Sequence, residues 1–491
     1  METRPVRSLT DSGRAAPRHR AASRPPMAYE AELTPGRGWA RSAPIPVLIL
    51  LLLASPWLVG GPVVLPRAGI LVLFTIAAWA SGLLAEPITS LLFFVMAAAF
   101  EIARPSVIFS GFTTPAWWIV FGGAITTMAV ERTSLTRHMA GALLSRLSAS
   151  YRLALTAVAI MALGLAFFLP SSTTRVLFLL PVVLGFADRL GFSPGRPGRT
   201  GLVMTAVFVT VLPAAAILPA NVSNLIMVGA ADTLYGIKVT YGSYLLLHFP
   251  IFGVLKTLLL IEVSYRLFPE RGSLLASPSE VSAPLSRDDR VVAWILVMSL
   301  VLFMTDVVHG ISPAWVALGA GIVCLLPGIG VLPVKSLSEL NVGMLVYFAG
   351  IFGVGAVIAS TGLGSVVSGV LLRMSGIVPG HTALNLSIIA GIGAVIGFLT
   401  TLVGMPVVLA PLAGDFAHAS GLPVLTVLML QVVLFSTVFL PYQNFLVVIG
   451  MQYGGINLKA GTKYCLVQAA ATVIVLCPLD YLWWWWLGYL E

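Results

Sequence analysis

Apolar runs of about 18 residues recur from residue 45 to the end of the chain, and each can cross the hydrocarbon core of a bilayer as a helix. Of the 491 residues, 58% are hydrophobic and 10% are charged, whereas a soluble domain carries about 25% charged residues. In lipid a helix satisfies its own backbone hydrogen bonds, and an open sheet does not. The sequence therefore predicts an all-α polytopic membrane protein.

The predicted membrane segments are of two kinds. Segments 152–188 and 383–417 are too long for one crossing and break near the middle, so we interpret them as re-entrant helical hairpins. The other segments each predict one crossing: 45–62, 67–84, 86–103, 114–131, 200–233, 241–268, 290–308, 312–330, 342–361, 423–455 and 462–488. The predicted architecture is about 11 transmembrane helices plus two re-entrant hairpins.

The distribution of positive charge indicates the orientation. With a cytoplasmic N-terminus, 22 of the 28 Lys and Arg residues fall on the cytoplasmic side, as the positive-inside rule requires. The C-terminus, with Trp483 to Trp486, then lies at the outer interface, where tryptophan anchors helices. We therefore interpret the net charge of +9 as a sign of orientation in the cell (inner) membrane, and not of nucleic-acid binding.

The chain also contains an internal duplication. The stretch from Phe168 to Thr173 matches the stretch from Phe398 to Val403 at a spacing of 230 positions, and Asn224 matches Asn444 at 220. One helix precedes two units of five crossings and one hairpin, and an odd number of crossings inserts the second unit upside down. Such an inverted repeat is typical of secondary transporters, which bind substrate near mid-membrane where the units meet.

The predicted organisation follows from this duplication. The basic N-terminal segment, rich in Pro, Ala and Ser and without periodicity, predicts disorder. The predicted parts are a disordered basic tail (1–44), a first transmembrane helix (45–66), a first repeat (67–268) with hairpin 152–188 and broken helix 200–233, a cytoplasmic linker (269–289), and a second repeat (290–491) with hairpin 383–417 and broken helix 423–455.

Proline and small polar residues interrupt the apolar segments. Pro170 and the hydroxyls of Ser171 to Thr174 break the first hairpin, while Leu218 to Asn224 and Leu440 to Asn444 break the two helices. Irregular backbone at mid-membrane depth is tolerated only where it lines protein or a wet cavity. Half-helix ends there offer N–H groups to an anion and carbonyls to a cation. The structural alternatives are hydroxyls bonded to their own helix and proline kinks with amides paired between helices.

Arg175 is the candidate with the most specific chemistry. It follows the hydroxyl cluster within the membrane, where a charge is costly and marks a functional site by default. Its guanidinium can hold a carboxylate or sulfate oxygen pair in bidentate fashion. The alternatives for Arg175 are a structural ion pair or a snorkelling side chain.

Enzyme chemistry is not indicated. The sequence lacks the HExxH, GxSxG and P-loop motifs and any useful pairing of carboxylates. Cys324, Cys465 and Cys477 have no metal-site spacing. We expect no catalytic residue, no metal site and no ATP-driven pump in this chain.

At the same residues the chain resembles the divalent anion:sodium symporter family, carriers of sulfate, dicarboxylates and citrate. Gly111 to Thr113, Trp118 and Thr133 to Arg137 resemble that family's stretch GFS…W…TGL..R, and Ser171 to Thr173 resembles its Ser-Asn-Thr signature. Asn224 and Asn444 resemble the Asn of its two Pro-Pro-Asn breaks. The resemblance implies a homodimer whose protomers move a hairpin-bearing domain in elevator fashion.

In that family the hairpin tips and the opposite breaks hold substrate and sodium. The resemblance implies substrate binding by Ser172, Thr173, Arg175, Asn221, Asn224, Thr400, Thr401, Pro441 and Asn444. It implies cation binding by Ser171, Ser172, Ala220, Thr401 and Leu440, with Na⁺ as the candidate coupling ion and no other cofactor.

This chain departs from the family pattern at both tips. Leu402 and Val403 offer no side-chain oxygen, which argues against a second sodium site. The family's sodium symporters carry a small residue at the position of Arg175. An Arg at this position resembles the family's organic-anion exchangers. Our hypothesis is that this fixed charge substitutes for one sodium ion, because a cation near a bound anion contributes strongly in low dielectric.

The predicted function is secondary active transport of small di- or multivalent anions, namely dicarboxylate, tricarboxylate or sulfate, either sodium-coupled or by anion exchange. One alternative is a proton-coupled or arsenite-type carrier of the same architecture. Another is a non-transporting membrane sensor or a membrane enzyme, although the longest polar loop is too short to form a domain. A channel is disfavoured because no charged or carbonyl-rich pore motif recurs.

Overall fold

The computed structural model describes residues 44–58, 63–136, 138, 150–270, 284–399 and 402–490. These residues form helices and turns and contain no strand, and six of their helices are long and apolar enough to cross a membrane. The all-α membrane fold class is therefore confirmed. By internal contacts, residues 1–47 form one unit and residues 48–491 a second. Of the first unit only residues 44–47, at the start of a helix, are described, so the predicted tail lies outside the described residues except for its last position.

The α-helices are numbered along the chain. In the first half they are Pro44–Leu58 (α1), Val64–Ser81 (α2), Glu86–Ala99 (α3), Pro105–Ile108 (α4), Pro115–Glu131 (α5), Tyr151–Phe168 (α6), Ser172–Arg189 (α7), Pro197–Val211 (α8), Val222–Tyr235 (α9), Tyr241–His248 (α10) and Lys256–Leu267 (α11). In the second half they are Arg287–Met304 (α12), Asp306–His309 (α13), Pro313–Leu325 (α14), Val342–Ser360 (α15), Leu363–Ser375 (α16), Thr382–Leu399 (α17), Met405–Leu409 (α18), Ala413–Ser420 (α19), Val424–Phe435 (α20), Phe445–Gly454 (α21), Leu458–Ala471 (α22) and Cys477–Trp486 (α23).

Two helices lie outside the predicted segments, the one-turn helix α4 and the longer helix α16. Helix α16 follows α15 after a single turn, and its sequence mixes Ser, Gly and Arg373 with apolar residues. It packs against α15 and α19 and leaves its other face exposed. Its apolar residues alternate with Ser, Gly and Arg373, so they form no continuous apolar run, and several of them, including Val370 and Met374, lie on the exposed face.

The packing of the long helices follows the duplication. Helix α5 packs on α14, and helix α15 packs on α3. A Cβ atom at Gly122 of α5 would collide with the backbone of Ala317, and one at Gly350 of α15 would collide with Ser90. These positions are offset by 228 and 227 residues, so each half of the chain places a small residue at an equivalent crossing. Small residues let membrane helices approach closely.

A polar contact ties the start of α12 to the end of α5. Asp289 completes a capping box with Ser286 and accepts hydrogen bonds from the backbone N and the Oγ of Ser134, at 2.7 and 2.8 Å. Burial alone would raise the pKa of Asp289, but the hydrogen bonds from Ser286 and Ser134 lower it to about 2. This carboxylate therefore holds the start of α12 against the segment that follows α5.

Candidate functional site

The predicted tip of the first hairpin falls at the break between α6 and α7. Pro170 has no N–H to continue the helix, and Leu169 and Ser171 are extended. Ser171 caps α7 by accepting a hydrogen bond from the backbone N of Thr174 at 3.2 Å. Ser171, Ser172 and Thr173 are all half-buried at this tip.

The first broken helix runs from α8 to α9. Between them lie the 3₁₀ turns Pro213–Ala216 and Leu218–Ala220. Asn221 caps α9 by accepting from the backbone N of Ser223 at 3.1 Å. Asn224 is fully buried and donates to the carbonyl of Ile217 at 2.9 Å, so its amide holds the break in shape. Its Oδ1 has no hydrogen-bond partner among the described residues.

The Arg175 guanidinium joins this tip to this break. It is fully buried and donates to Ser172 Oγ (3.0 Å), to the carbonyls of Thr210 (3.2 Å) and Ala220 (2.9 Å), and to the carbonyl of Leu169. No ion pair links it to a carboxylate of the described residues. Ser172 Oγ also donates to the Ala220 carbonyl at 3.1 Å. The positive charge is therefore enclosed by three carbonyls and one hydroxyl, the kind of oxygen set that binds a cation where helices unwind.

The second tip lies between α17 and α18. Thr400 and Thr401 lie outside the described residues, so the structure does not test their predicted roles. Leu402 is buried, and its carbonyl accepts from Ser223 Oγ at 3.0 Å. Its backbone N donates to the carbonyl of Gln443 at 3.3 Å. The second tip therefore contacts both broken helices.

The second broken helix runs from α20 to α21 through the 3₁₀ turn Pro441–Gln443. Asn444 caps α21 by accepting from the backbone N of Leu446 at 2.9 Å. Gln443 Oε1 accepts from the backbone N atoms of Phe439 (2.7 Å) and Leu440 (2.9 Å). Gln443 Nε2 donates to the carbonyl of Gly397 on α17 at 3.1 Å.

The four breaks thus meet through direct hydrogen bonds. Ser172 bonds to Ala220, Ser223 bonds to Leu402, and Leu402 bonds to Gln443. Of the predicted site residues, the structure brings together Ser171, Ser172, Thr173, Arg175, Ala220, Asn221 and Asn224 at the first tip and break, and Leu440, Pro441 and Asn444 at the second break.

Sequence reasoning did not assign Thr210, Ser223 or Gln443 a role in this site. Ser223 and Gln443 lie within the two interruptions and carry hydrogen-bonding side chains, a signal that could have found them. Thr210 contributes only a backbone carbonyl to Arg175, which no residue pattern reveals.

The chemistry of this junction suits an anion. Helices α7, α9 and α21 begin here, with Ser171, Asn221 and Asn444 as their N-caps. Helix N-termini present free N–H groups and a partial positive charge. The described residues contain no group of three or more His, Cys, Asp or Glu side chains that could hold a metal. Backbone carbonyls, hydroxyls and the Asn224 amide oxygen are the oxygens that this junction offers to a cation.

A cavity of about 450 Å³, including space open to solvent, lies beside the first tip. It is lined by Phe168, Pro170 and residues of α5, α12 and α14, and most of its lining is apolar. Its lining hydroxyls, Thr126 and Ser299, donate to carbonyls of their own helices. The cavity therefore offers space next to the tip but no charged group for an anion.

Comparison with known proteins gives two kinds of match. A family model described as a citrate transporter matches residues 70–433, a range that includes both predicted hairpin segments and the first broken helix. A membrane protein of Cupriavidus necator is 25% identical over 370 residues, which cover 70% of this chain and 72% of that protein. An uncharacterized transporter of Mycobacterium tuberculosis is 26% identical over 315 residues, covering 61% of this chain and 68% of the relative. A second uncharacterized transporter of that organism is 25% identical over 269 residues, covering 52% and 58%.

Proposed function

The chain belongs to the citrate transporter family, and we propose that this membrane transporter carries small di- or tricarboxylates, citrate foremost, by secondary active transport. Membership of a transporter family favours transport over the enzyme and sensor alternatives. The observation that carries the proposal is the junction of the two hairpin tips with the two broken helices. Backbone interruptions buried inside a polytopic membrane protein are where secondary transporters bind substrate.

The junction favours a multivalent anion over a neutral or cationic substrate. The N-termini of α7, α9 and α21 supply three partial positive charges, and Arg175 supplies a full one. In the same junction the half-buried side chains of Thr173, Asn221 and Asn444 supply hydroxyl and amide groups. A ligand with two or three carboxylates matches several separate positive ends better than a monovalent ion does. Sulfate fits the same charge but spans less distance, so it is the competing substrate in the test.

Arg175 supports a mechanism in which one sodium ion is not needed. Its guanidinium hydrogen bonds to three backbone carbonyls and to Ser172 Oγ, which are oxygens that a sodium ion would otherwise use. Arginine keeps its proton throughout the physiological range, so this charge is permanent. We propose that Arg175 balances substrate charge from within the protein, behind the residues that touch the anion. Transport would then proceed as anion exchange, or with coupling to an ion other than sodium.

The remaining parts of the proposal concern movement and assembly. We propose that α7, α8, α9 and the second hairpin move together with the substrate past α3, α5, α14 and α15. The close helix crossings at Gly122 and Gly350 support the proposal that α3, α5, α14 and α15 form a rigid scaffold. We further propose a homodimer in the cell membrane with a cytoplasmic N-terminus and an outer C-terminus. Accessibility of single cysteines introduced near residues 335 and 488 tests that orientation.

The test is counterflow in proteoliposomes. Vesicles are loaded with unlabelled citrate, succinate or sulfate, and entry of the same labelled anion is followed with and without sodium. We expect citrate and succinate counterflow in sodium-free buffer, and a loss of affinity in Asn444→Ala, which removes the cap of α21. Asn457→Ala is the matched control, because it removes the exposed N-cap of α22, which makes no hydrogen bond to the breaks. Uptake of sulfate but not of carboxylates would contradict the proposed substrate class.

A further inference from the structure

The second break carries a tyrosine whose side chain is open while those on either side of it are enclosed. Tyr442 is 56% exposed, whereas its neighbours Pro441 and Gln443 are buried. The 3₁₀ turn that contains these residues lies near the middle of segment 423–455. Irregular backbone at that depth is tolerated only where it is buried in protein or lines a water-filled cavity. The open side of Tyr442 therefore faces such a cavity and not lipid.

The hydroxyl of Tyr442 is anchored to the second hairpin. The last carbonyls of a helix have no partner within that helix, and the turn uses two of those at the end of α17. Tyr442 Oη donates to the carbonyl of Phe398 at 3.1 Å, and Gln443 Nε2 donates to the adjacent carbonyl of Gly397 at 3.1 Å. The rings of Phe398 and Phe439, whose centres are 5.3 Å apart, join the same two segments. The Tyr442 hydroxyl is therefore held between the second break and the helix that leads to the second tip.

This hydrogen bond determines what Tyr442 offers to a ligand. A carbonyl carries no hydrogen, so the phenol is the donor in the bond to Phe398. A phenol has one proton to donate, and this bond uses it. The lone pairs of the Tyr442 oxygen can still accept a hydrogen bond, but they do not attract a carboxylate, which is itself an acceptor. Tyr442 therefore presents an acceptor to the cavity.

The neighbouring N-caps offer the opposite polarity. Asn221 and Asn444 use their side-chain oxygens to accept from the backbone N atoms of Ser223 and Leu446. Both side chains are half-buried, and their Nδ2 groups make no hydrogen bond to a described residue. Amide N–H groups and helix N-termini bind carboxylates. The second break thus places a donor for carboxylate, on Asn444, two residues from an acceptor, on Tyr442.

We propose that Tyr442 is a specificity-determining residue of this carrier, and that its oxygen accepts a hydrogen bond from a hydroxyl group of the substrate. The inference rests on the proposed function and narrows its substrate class to hydroxy-substituted di- and tricarboxylates. The carboxylates bind the amides and the helix N-termini, while the hydroxyl donates to Tyr442. Val222 occupies the position that matches Tyr442 at the spacing of 220, so only the second break has this acceptor.

The size of the expected preference follows from the exposure of Tyr442. A site that pairs with a substrate hydroxyl discriminates against the analogue that lacks it. Because water can replace the missing hydroxyl at an open position, the preference is that of one net hydrogen bond, about tenfold in affinity. Malate and succinate differ by one hydroxyl, and so do citrate and tricarballylate. Each pair has the same number of carboxylates, so charge does not contribute to the comparison.

The experiment measures inhibition of labelled succinate counterflow by each of the four unlabelled anions. The proteoliposomes contain equal sodium on both sides, at a pH where all four anions are fully ionised. Wild type should bind malate about tenfold more tightly than succinate, and citrate about tenfold more tightly than tricarballylate.

Tyr442→Phe keeps the ring and removes the oxygen. We expect this variant to bind the two members of each pair equally, with succinate and tricarballylate affinities within about twofold of the wild type. Tyr442→Trp supplies a ring N–H but no acceptor, so it should lose both preferences as well. Tyr453→Phe, at an exposed tyrosine of α21, is the matched control and should retain both preferences.

Four outcomes would overturn the inference. Equal affinities within each pair in the wild type would refute it and leave the proposed function standing. Preferences that survive in Tyr442→Phe would place the acceptor on another group, such as the Thr173 hydroxyl. An equal loss of affinity for all four anions in both Tyr442 variants would make Tyr442 a structural tie to α17. Absence of succinate and citrate counterflow in the wild type would refute the proposed substrate class, and this inference with it.

Discussion

Arg175→Ala should make the protein's stability depend on sodium. The substitution removes the donor groups from the carbonyls of Leu169, Thr210 and Ala220 and from Ser172 Oγ, and leaves these oxygens around an emptied space. Breaking a buried charged network of this kind costs about 3–5 kcal/mol. Much of that cost comes from oxygens that lose their partner, at about 1–3 kcal/mol each. A sodium ion of matching charge can restore part of it.

The size of the rescue follows from binding linkage. A cation that binds only the folded variant stabilises it by about 1.4 kcal/mol at ten times its dissociation constant. The assay is thermal unfolding of purified protein in sodium chloride and in choline chloride at equal ionic strength. We expect the Arg175→Ala melting temperature to rise in sodium, and no difference for the wild type. The exposed Arg373→Ala controls for the loss of one positive charge.

The same variant tests the role in transport. If Arg175 balances substrate charge, Arg175→Ala should bind citrate more weakly without sodium and recover affinity with it. The reasoning is refuted if the variant melts at the same temperature in both salts and keeps wild-type citrate affinity in counterflow. That result would leave Arg175 as a structural residue that only joins the first tip to the first break.

Three further predictions concern the scaffold and the breaks. Gly122→Val should lower stability by about 1–3 kcal/mol through overpacking, whereas Gly185→Val, with open space around its Cβ, should cost less in the same thermal unfolding assay. Gln443→Leu should lower the free energy of unfolding by about 1–3 kcal/mol, because two backbone N–H groups lose their buried acceptor. Citrate counterflow should fall in the same variant, and counterflow at the wild-type rate would contradict a role of Gln443 in the break. The pKa of Asp289 is lowered to about 2, so its carboxylate stabilises the fold above about pH 4 and loses that effect as the pH falls. The stability difference between wild type and Asp289→Asn should therefore shrink below about pH 4. A difference that stays constant with pH would contradict this role of the carboxylate.

The breaks were predictable because their causes are local. Proline removes a backbone donor, and Ser or Asn caps the helix that follows. Proline followed by Ser or Asn predicts interruptions at Pro170, Pro219 and Pro441, and the structure has helix starts at Ser172, Val222 and Phe445. Pro181, which no capping residue follows, lies inside α7. Hydropathy locates the long crossings for the same reason, since each crossing satisfies its backbone within its own segment.

The contacts of the site were not predictable from pattern. The partners of Arg175 are mostly carbonyls, whose positions depend on how the 3₁₀ turns before α9 fold. Leu402 lacks a polar side chain, yet its backbone contacts both broken helices. Backbone acceptors leave no mark on residue composition.

The central claim is that the junction of four breaks binds and transports a small multivalent carboxylate without sodium at the first tip. The most direct measurement is citrate counterflow by the purified wild-type protein in proteoliposomes, in strictly sodium-free buffer. The account predicts entry of labelled citrate that is saturable and requires citrate inside. Counterflow that appears only when sodium is added would contradict the role of Arg175, and no counterflow of citrate or succinate in either buffer would contradict the assigned substrate.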